Sequence, residues 1–136
     1  MNHKSEYKTL VLGASTKPSR YSNIASLRLI KMGYPVIPVG IKEGQIGTLE
    51  IKTEQKQFDD IHTISMYLST ENQKPMYDFI LSLKPKRIIF NPGSENMELA
   101  ALAKKSNIEI LHACTLVLLS TGQYELSKAA MDGSLH

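Results

Sequence analysis

Short runs rich in leucine and β-branched residues, "TLVLG", "YPVIPVG", "IHTISMYLS", "KRIIFN" and "IEILHA", alternate with stretches of helical length. That rhythm is the signature of βαβ units and therefore of a parallel sheet. Successive residues within a run are apolar, as with Val11 and Leu12 or Ile88 and Ile89, so the strands are expected to be buried on both faces. The fold class that follows is α/β, a doubly wound parallel sheet of about five strands with helices on both sides.

Periodicity places the helices. Residues 23–32 form the first, with Ile24, Leu27 and Ile30 beside a second row of Ala25, Leu29 and Met32; it is apolar over most of its circumference, which predicts deep burial, and Gly33 ends it. Residues 71–83 form the second, its stripe being Met76, Phe79, Ile80 and Leu83, with Pro75 in the first turns or restarting it. Residues 96–106 form the third, capped by Asn96, burying Leu99, Leu102 and Ala103, and closed by Asn107 in the left-handed position. Between residues 40 and 60 the helical stripe is missing, and alternation at Ile46, Leu49 and Ile51 predicts a crossover with a short extended segment. A short helix over residues 115–121 and an irregular end complete the chain.

With 136 residues the chain fits one domain, its core spanning about residues 7–124 and a tail about 125–136. A net charge of +3 is too mild for a nucleic-acid surface and suits a modest anionic ligand. The single cysteine, Cys114, excludes an internal disulfide. The polar start "MNHKSEYK" lacks the apolar core of a signal peptide, and no apolar run reaches the roughly 18 residues of a membrane helix, so a cytoplasmic location without membrane contact is expected.

In a doubly wound sheet, ligands settle outside the carboxyl ends of the strands, where connections leave in opposite directions. The loop after the first strand, "GASTKPSRYSN", is the strongest candidate. Gly13 lets the chain turn closely, the following helix aims free amides at an anion, Ser15, Thr16, Ser22 and Asn23 supply hydrogen bonds, and Lys17 and Arg20 supply charge. A kinase-type phosphate loop is excluded, because Pro18 stands five residues after Gly13 and no Gly-Lys-Ser/Thr follows. The second strand ends in Val39, Gly40, Ile41 and Lys42, with no acid for unphosphorylated ribose hydroxyls. A ribose bearing its own phosphate is therefore favoured, as in coenzyme A or the phosphorylated nicotinamide cofactor NADP.

Further candidates stand at the other strand ends. Tyr67 and Ser69 close the third strand and can line an adenine or pantetheine wall, or simply pack. Asn91, Pro92, Gly93 and Ser94 after the fourth strand read as a tight turn that can also touch a ligand. Cys114 follows the fifth strand, where a thiol could meet a thiol-bearing cofactor or lie buried and inert. No carboxylate pair sits at a strand end, and the scattered histidines give neither a catalytic couple nor a metal site.

Taken in order, "LGASTKPSRYSNIA", "GYPVIPVG", "DDIHTISMYLSTENQ", "IIFNPGSENMEL" and "IEILHACTLVLL" resemble the small single-domain coenzyme A-binding proteins, a Rossmann-like family related to the nucleotide-binding part of the succinyl-CoA synthetase alpha subunit. The resemblance implies five strands ordered 3-2-1-4-5 and a 3′-phospho-ADP group over the first loop. Gly13, Ala14, Ser15, Arg20 and Ser22 would then meet the pyrophosphate, and Val39 to Lys42 the adenosine. The family's second strand often ends in Asn-Pro, where Val39-Gly40 stands here; the histidine loop of the larger relatives has no counterpart. The expected function is coenzyme A or acyl-CoA binding without evident catalysis, with an NADP-dependent oxidoreductase or a non-catalytic partner subunit as alternatives; a homodimer stays open.

Overall fold

The computed structural model describes residues 3–126; the expected tail beyond Leu126 lies outside them. A 3₁₀ turn, His3–Tyr7, leads into β1 (Thr9–Leu12), α1 (Tyr21–Lys31) and β2 (Val36–Val39). A small antiparallel hairpin of β3 (Gln45–Ile46) and β4 (Leu49–Glu50) follows, then β5 (Thr63–Met66). The chain continues through α2 (Thr70–Gln73), a 3₁₀ turn at Lys74–Met76, α3 (Tyr77–Ser82), β6 (Arg87–Phe90), α4 (Met97–Lys105), β7 (Glu109–His112) and α5 (Thr115–Ser120).

Five strands form one parallel sheet, as the alternation of the sequence demands, but in the order β2-β1-β5-β6-β7. Counting main-sheet strands along the chain, this is 2-1-3-4-5 and not the expected 3-2-1-4-5. Pro38 supplies the physical reason. Its carbonyl points away from β1, accepting at 2.9 Å from the amide of Lys52, so the missing N–H faces the same outer edge. A strand with a proline there cannot sit in the middle of a sheet. The crossover itself lies along that edge, where Val39 bridges Lys52 and Gly40 donates to the Lys52 carbonyl at 3.0 Å. The third strand therefore adds on the other side, pairing Thr9 with Thr63 and Leu12 with Met66.

Alternation along the strands sends side chains to two cores. On one face Leu10, Leu12, Ile64, Met66, Ile88 and Phe90 meet Phe79, Ile80 and Leu83 near α3 and Leu99 and Ala103 of α4. On the other, Val11, Ile89 and Leu111 meet Leu29 of α1, Leu118 and Leu119 of α5, and Tyr124. Pro75 does restart the second helix, which splits into α2 and α3 around the 3₁₀ turn. Asn96 caps α4, its side chain accepting from Leu99 N–H at 3.0 Å, and Asn107 takes the left-handed conformation that closes it.

The first helix departs from expectation. It runs from Tyr21 to Lys31 and buries Ser22, Asn23, Ala25, Ser26 and Leu29, while Leu27 and Ile30 remain 44% and 36% exposed. Small residues let it lie close to the sheet, and the apolar row that periodicity favoured is turned outward. Leu27 covers the hairpin turn, where a Cβ on Gly47 would come within 3.1 Å of it.

Half-buried His62 precedes β5, its ring 4.4 Å from that of Tyr7 and its Nδ1 2.8 Å from Thr63 Oγ1. Arg87 donates its Nε–H to the same hydroxyl at 2.7 Å, so Thr63 accepts there while bonding the imidazole. Burial, reinforced by the positive charges of Arg87 and Lys86, lowers the imidazole from 6.5 to about 4. Between these values the unfolded chain binds more protons at His62 than the folded one. The contribution of neutral His62 is therefore complete above pH 6.5 and lost as pH falls through about 4. Melting temperatures recorded from pH 7.5 down to 4 should fall more steeply for the wild type than for His62→Gln; parallel curves would refute this assignment.

Candidate functional site

With β1 between β2 and β5, the chain leaves β1 toward one side of the sheet and approaches β5 from the other, so the switch point lies between the carboxyl ends of β1 and β5. Gly13 turns there with φ of 99°, and a Cβ on it would stand 3.1 Å from both Leu68 N and the Tyr67 carbonyl carbon. Only glycine allows that contact. The amides of Gly13 and Ala14 both donate to the Val39 carbonyl at 2.9 Å, which ties the first loop to the end of β2 and commits those two donors.

The crossover closes over the loop from behind. A Cβ on Gly40 would lie 2.5 Å from the Ala14 carbonyl oxygen, and one on Gly44 would lie 2.3 Å from the Thr16 methyl. Beyond Gly40 the chain is open to solvent, with Ile41 89% exposed and Lys42 exposed.

From Ser15 onward the loop is shaped by its own bonds. Asn23, buried on α1, donates Nδ2–H to the Ser15 carbonyl at 2.9 Å, Lys17 N–H donates to Ser15 Oγ at 3.2 Å, and Arg20 N–H donates to the Lys17 carbonyl at 3.0 Å. Arg20 occupies the N-cap of α1 in extended conformation, no side chain caps the helix, and its first turn contains no acid. The amides of Tyr21 and Ser22 thus open the helix without an intrahelical acceptor. Lys17 and Arg20 are exposed, and neither belongs to an ion pair among the described residues. Orphan amides, the positive end of the helix and two unpaired cations thus belong to one short loop, an arrangement suited to an anion.

The next wall comes from β5 and β6. Tyr67 points its hydroxyl into a buried position without a hydrogen-bond partner; burial pushes the phenol up to about 12, partly offset by the nearby Ser65 and Thr115 hydroxyls. Ser69 is exposed at the N-cap of α2. Asn91, 1% exposed, spends its amide inside the protein, with Nδ2 donating to Ser65 Oγ at 3.0 Å and the Met66 carbonyl at 2.9 Å, while Oδ1 accepts from Thr115 N–H at 2.8 Å. Ser94 is also buried and donates its hydroxyl to the Asn91 carbonyl at 2.7 Å. Between them Pro92 and Gly93 form an exposed turn with a 2.9 Å Ser94 N–H to Asn91 carbonyl bond and φ of 92° at the glycine, the type II pattern. Half-buried Cys114 is the N-cap of α5, directly before Thr115.

The sequence-derived residues thus fall into groups. Ser15, Lys17 and Arg20 belong to the loop at the switch point, Ser22 is buried on the sheet-facing side of α1, Tyr67 follows β5 with its hydroxyl buried, and Ile41 and Lys42 lie outward past β2. Asn23, Asn91 and Ser94 shape the walls with their side chains. Sequence reasoning missed Ser65, Thr115 and above all Gln73, which is wholly buried; no periodicity marks a buried glutamine in the polar segment "TENQ". Two surface hollows of about 410 and 770 Å³ lie at the opposite edge of the sheet around Lys84 and Lys86. The first of them is bordered by Ser106 and Asn107 at the end of α4. No helix among the described residues is long and apolar enough to cross a membrane, and no group of three metal-binding side chains is found among them.

Comparison with known proteins agrees with this fold. An uncharacterised protein of known crystal structure superposes with a TM-score of 0.85 at 44% identity, over 86% of this chain and 97% of its own. A hypothetical protein from Pyrococcus horikoshii OT3 shares the fold at a TM-score of 0.77 and 21% identity, over 85% of this chain and 82% of its own. A conserved hypothetical protein from Pyrococcus furiosus does so at 0.71 and 24%, over 81% and 97%. Among curated proteins none matches. The sequence pattern of the CoA binding domain matches residues 7–120, nearly the whole described chain, and the resemblance read from the loops is thereby upheld: this chain belongs to the CoA-binding domain family.

Proposed function

We propose that the protein is a binding module for coenzyme A or an acyl-CoA, holding the 3′-phospho-ADP part at the loop between β1 and α1, and that it performs no chemistry of its own. The observation that carries this reading is the uncapped, acid-free start of α1 between two unpaired cations at the switch point. Ser15, Lys17 and Arg20, with the amides of Tyr21 and Ser22, meet the diphosphate, while the Ser22 side chain packs α1 onto the sheet. Gly13 and Ala14 support it through their bonds to Val39 and do not donate to it. Ile41 and Lys42 face the adenosine, where the lysine suits a phosphorylated ribose. Tyr67, Ser69, Pro92, Gly93 and Cys114 border the path of the pantetheine arm, and Asn91 and Ser94 hold that border in place.

The lysine past β2 and the lack of an acid there would equally accept the ribose phosphate of NADP. Calorimetric titration with coenzyme A, dephospho-coenzyme A and NADP separates the readings. Coenzyme A should bind most tightly and raise the melting temperature in proportion to its concentration; NADP displacing it from the same site with higher affinity would favour the alternative. Replacing Lys17 and Arg20 with glutamine should weaken coenzyme A binding by about tenfold or more per residue, since each removes a charge-assisted contact. Both side chains are exposed, so the melting temperature without ligand should stay nearly constant. Unchanged affinity in the double variant would falsify the phosphate site.

Asn23→Ala provides a separate test of loop preorganisation. It removes the donor to the Ser15 carbonyl without touching a cation. Affinity is expected to fall several-fold and the melting temperature by a few degrees, as for the loss of one buried hydrogen bond. A loss of stability with intact affinity would show that the loop needs no such brace.

A further inference from the structure

Gln73 is the last residue of the one-turn helix α2 and is completely buried. Its Nε2 donates to two carbonyls on different loops, Leu68 after β5 at 2.9 Å and Ser94 after β6 at 2.7 Å. Its Oε1 accepts from Asn96 Nδ2 at 3.0 Å, and Asn96 caps α4 with its own oxygen. Both amide protons and one of the two acceptor sites of the side-chain amide are thus used. Leu68 in turn lies against Gly13, whose Cβ position is 3.1 Å from Leu68 N and 3.3 Å from its side chain. A second strap runs alongside, with the Thr70 hydroxyl donating to the Glu95 carbonyl at 2.6 Å. The buried amide therefore ties the loops after β5 and β6 together, and Leu68 carries that tie to the loop after β1.

We propose that Gln73 is a positioning residue for the crevice, fixing the β5 and β6 loops relative to each other and to the phosphate loop, and so setting the affinity for the bound nucleotide without touching it. The proposal rests on the coenzyme A reading given above. Its chemistry is specific to a primary amide. Methionine fills the same space but leaves the Leu68 and Ser94 carbonyls without donors. Glutamate keeps the acceptor for Asn96 but turns a carboxylate against both carbonyls, and burial favours its protonated form, which regains one donor as pH falls.

The test uses the full chain with coenzyme A as probe, comparing wild type, Gln73→Met and Gln73→Glu. Both variants should bind about tenfold more weakly at pH 8, the cost of unmatched buried carbonyls. Only Gln73→Glu should recover relative to wild type when the pH is lowered to 6; a merely structural role would lower the melting temperature without such a pH-dependent ratio. Hydrogen exchange on unliganded Gln73→Met should rise together in residues 66–70 and 91–96. Folded variants with wild-type affinity at both pH values would overturn the proposal, as would exchange that rises in one segment alone. If Gln73→Glu does not fold, Gln73→Met decides by affinity and exchange together. Failure of the wild type itself to bind coenzyme A would remove the ligand reading and the role in affinity with it, whereas the exchange experiment judges the tie between loops independently.

Discussion

Pro38 denies β2 a donor on its outer edge, and the position of the crevice follows from that. A strand that can pair fully on one side only must be an edge strand. With β2 at the edge and the crossover bridged to it at Lys52, β5 adds beside β1, and the switch point opens between them. The first loop then faces Tyr67 and Leu68 across Gly13. Had β5 paired outside β2, the loops after β1 and β5 would be separated by a strand, and Leu68 would not bear on the loop after β1.

The β1–α1 loop manages with one glycine because its neighbours contribute the others. A dinucleotide loop uses successive glycines for a tight turn, for close backbone approach to a diphosphate and for close helix packing. Here Gly13 makes the turn, Gly40 and Gly44 let the crossover press on Ala14 and Thr16, and Ser22, Ala25 and Ser26 let α1 settle on the sheet. The Val39 carbonyl takes two amides that a glycine-rich loop would offer to phosphate. On the proposed reading, charge from Lys17 and Arg20 would compensate for the donors so withdrawn.

Periodicity and strand composition were enough to foresee the element types, the two covered faces, the caps at Asn96 and Asn107 and the extended crossover, because each is written in local residue choice. Strand order was also written there, in Pro38, but resemblance outweighed it. The burial of α1 misled because apolar count measures how much surface a helix can bury, whereas small residues decide which side approaches the sheet. Asn91 and Ser94 read as ligand contacts because they flank a Pro-Gly turn at a strand end; the bonds that hold Asn91 inside come from Ser65 and Thr115, and the Ser94 carbonyl accepts from Gln73, all distant in sequence. Gln73 left no local trace, because its partners come from two loops and a helix cap that only the fold assembles.

The central strand carries the last consequence. β5 is buried on both sides, yet toward α1 and α5 it presents Thr63 and Ser65, both wholly buried, and the next residue on that face is Tyr67. Apolar residues would bury more favourably, so the polar column needs partners, and it finds them in Arg87, Thr115 and Asn91. Such pairings admit one register: a slip of β5 against β6 would strand the Asn91 amide and the Arg87 guanidinium in an apolar interior. The same bonds seat the N-terminus of α5 and hold Asn91 below the exposed turn. The polar column thus gives up some burial energy to fix where the loops stand, and a crevice whose walls are already fixed loses little conformational entropy when a long, flexible ligand settles into it.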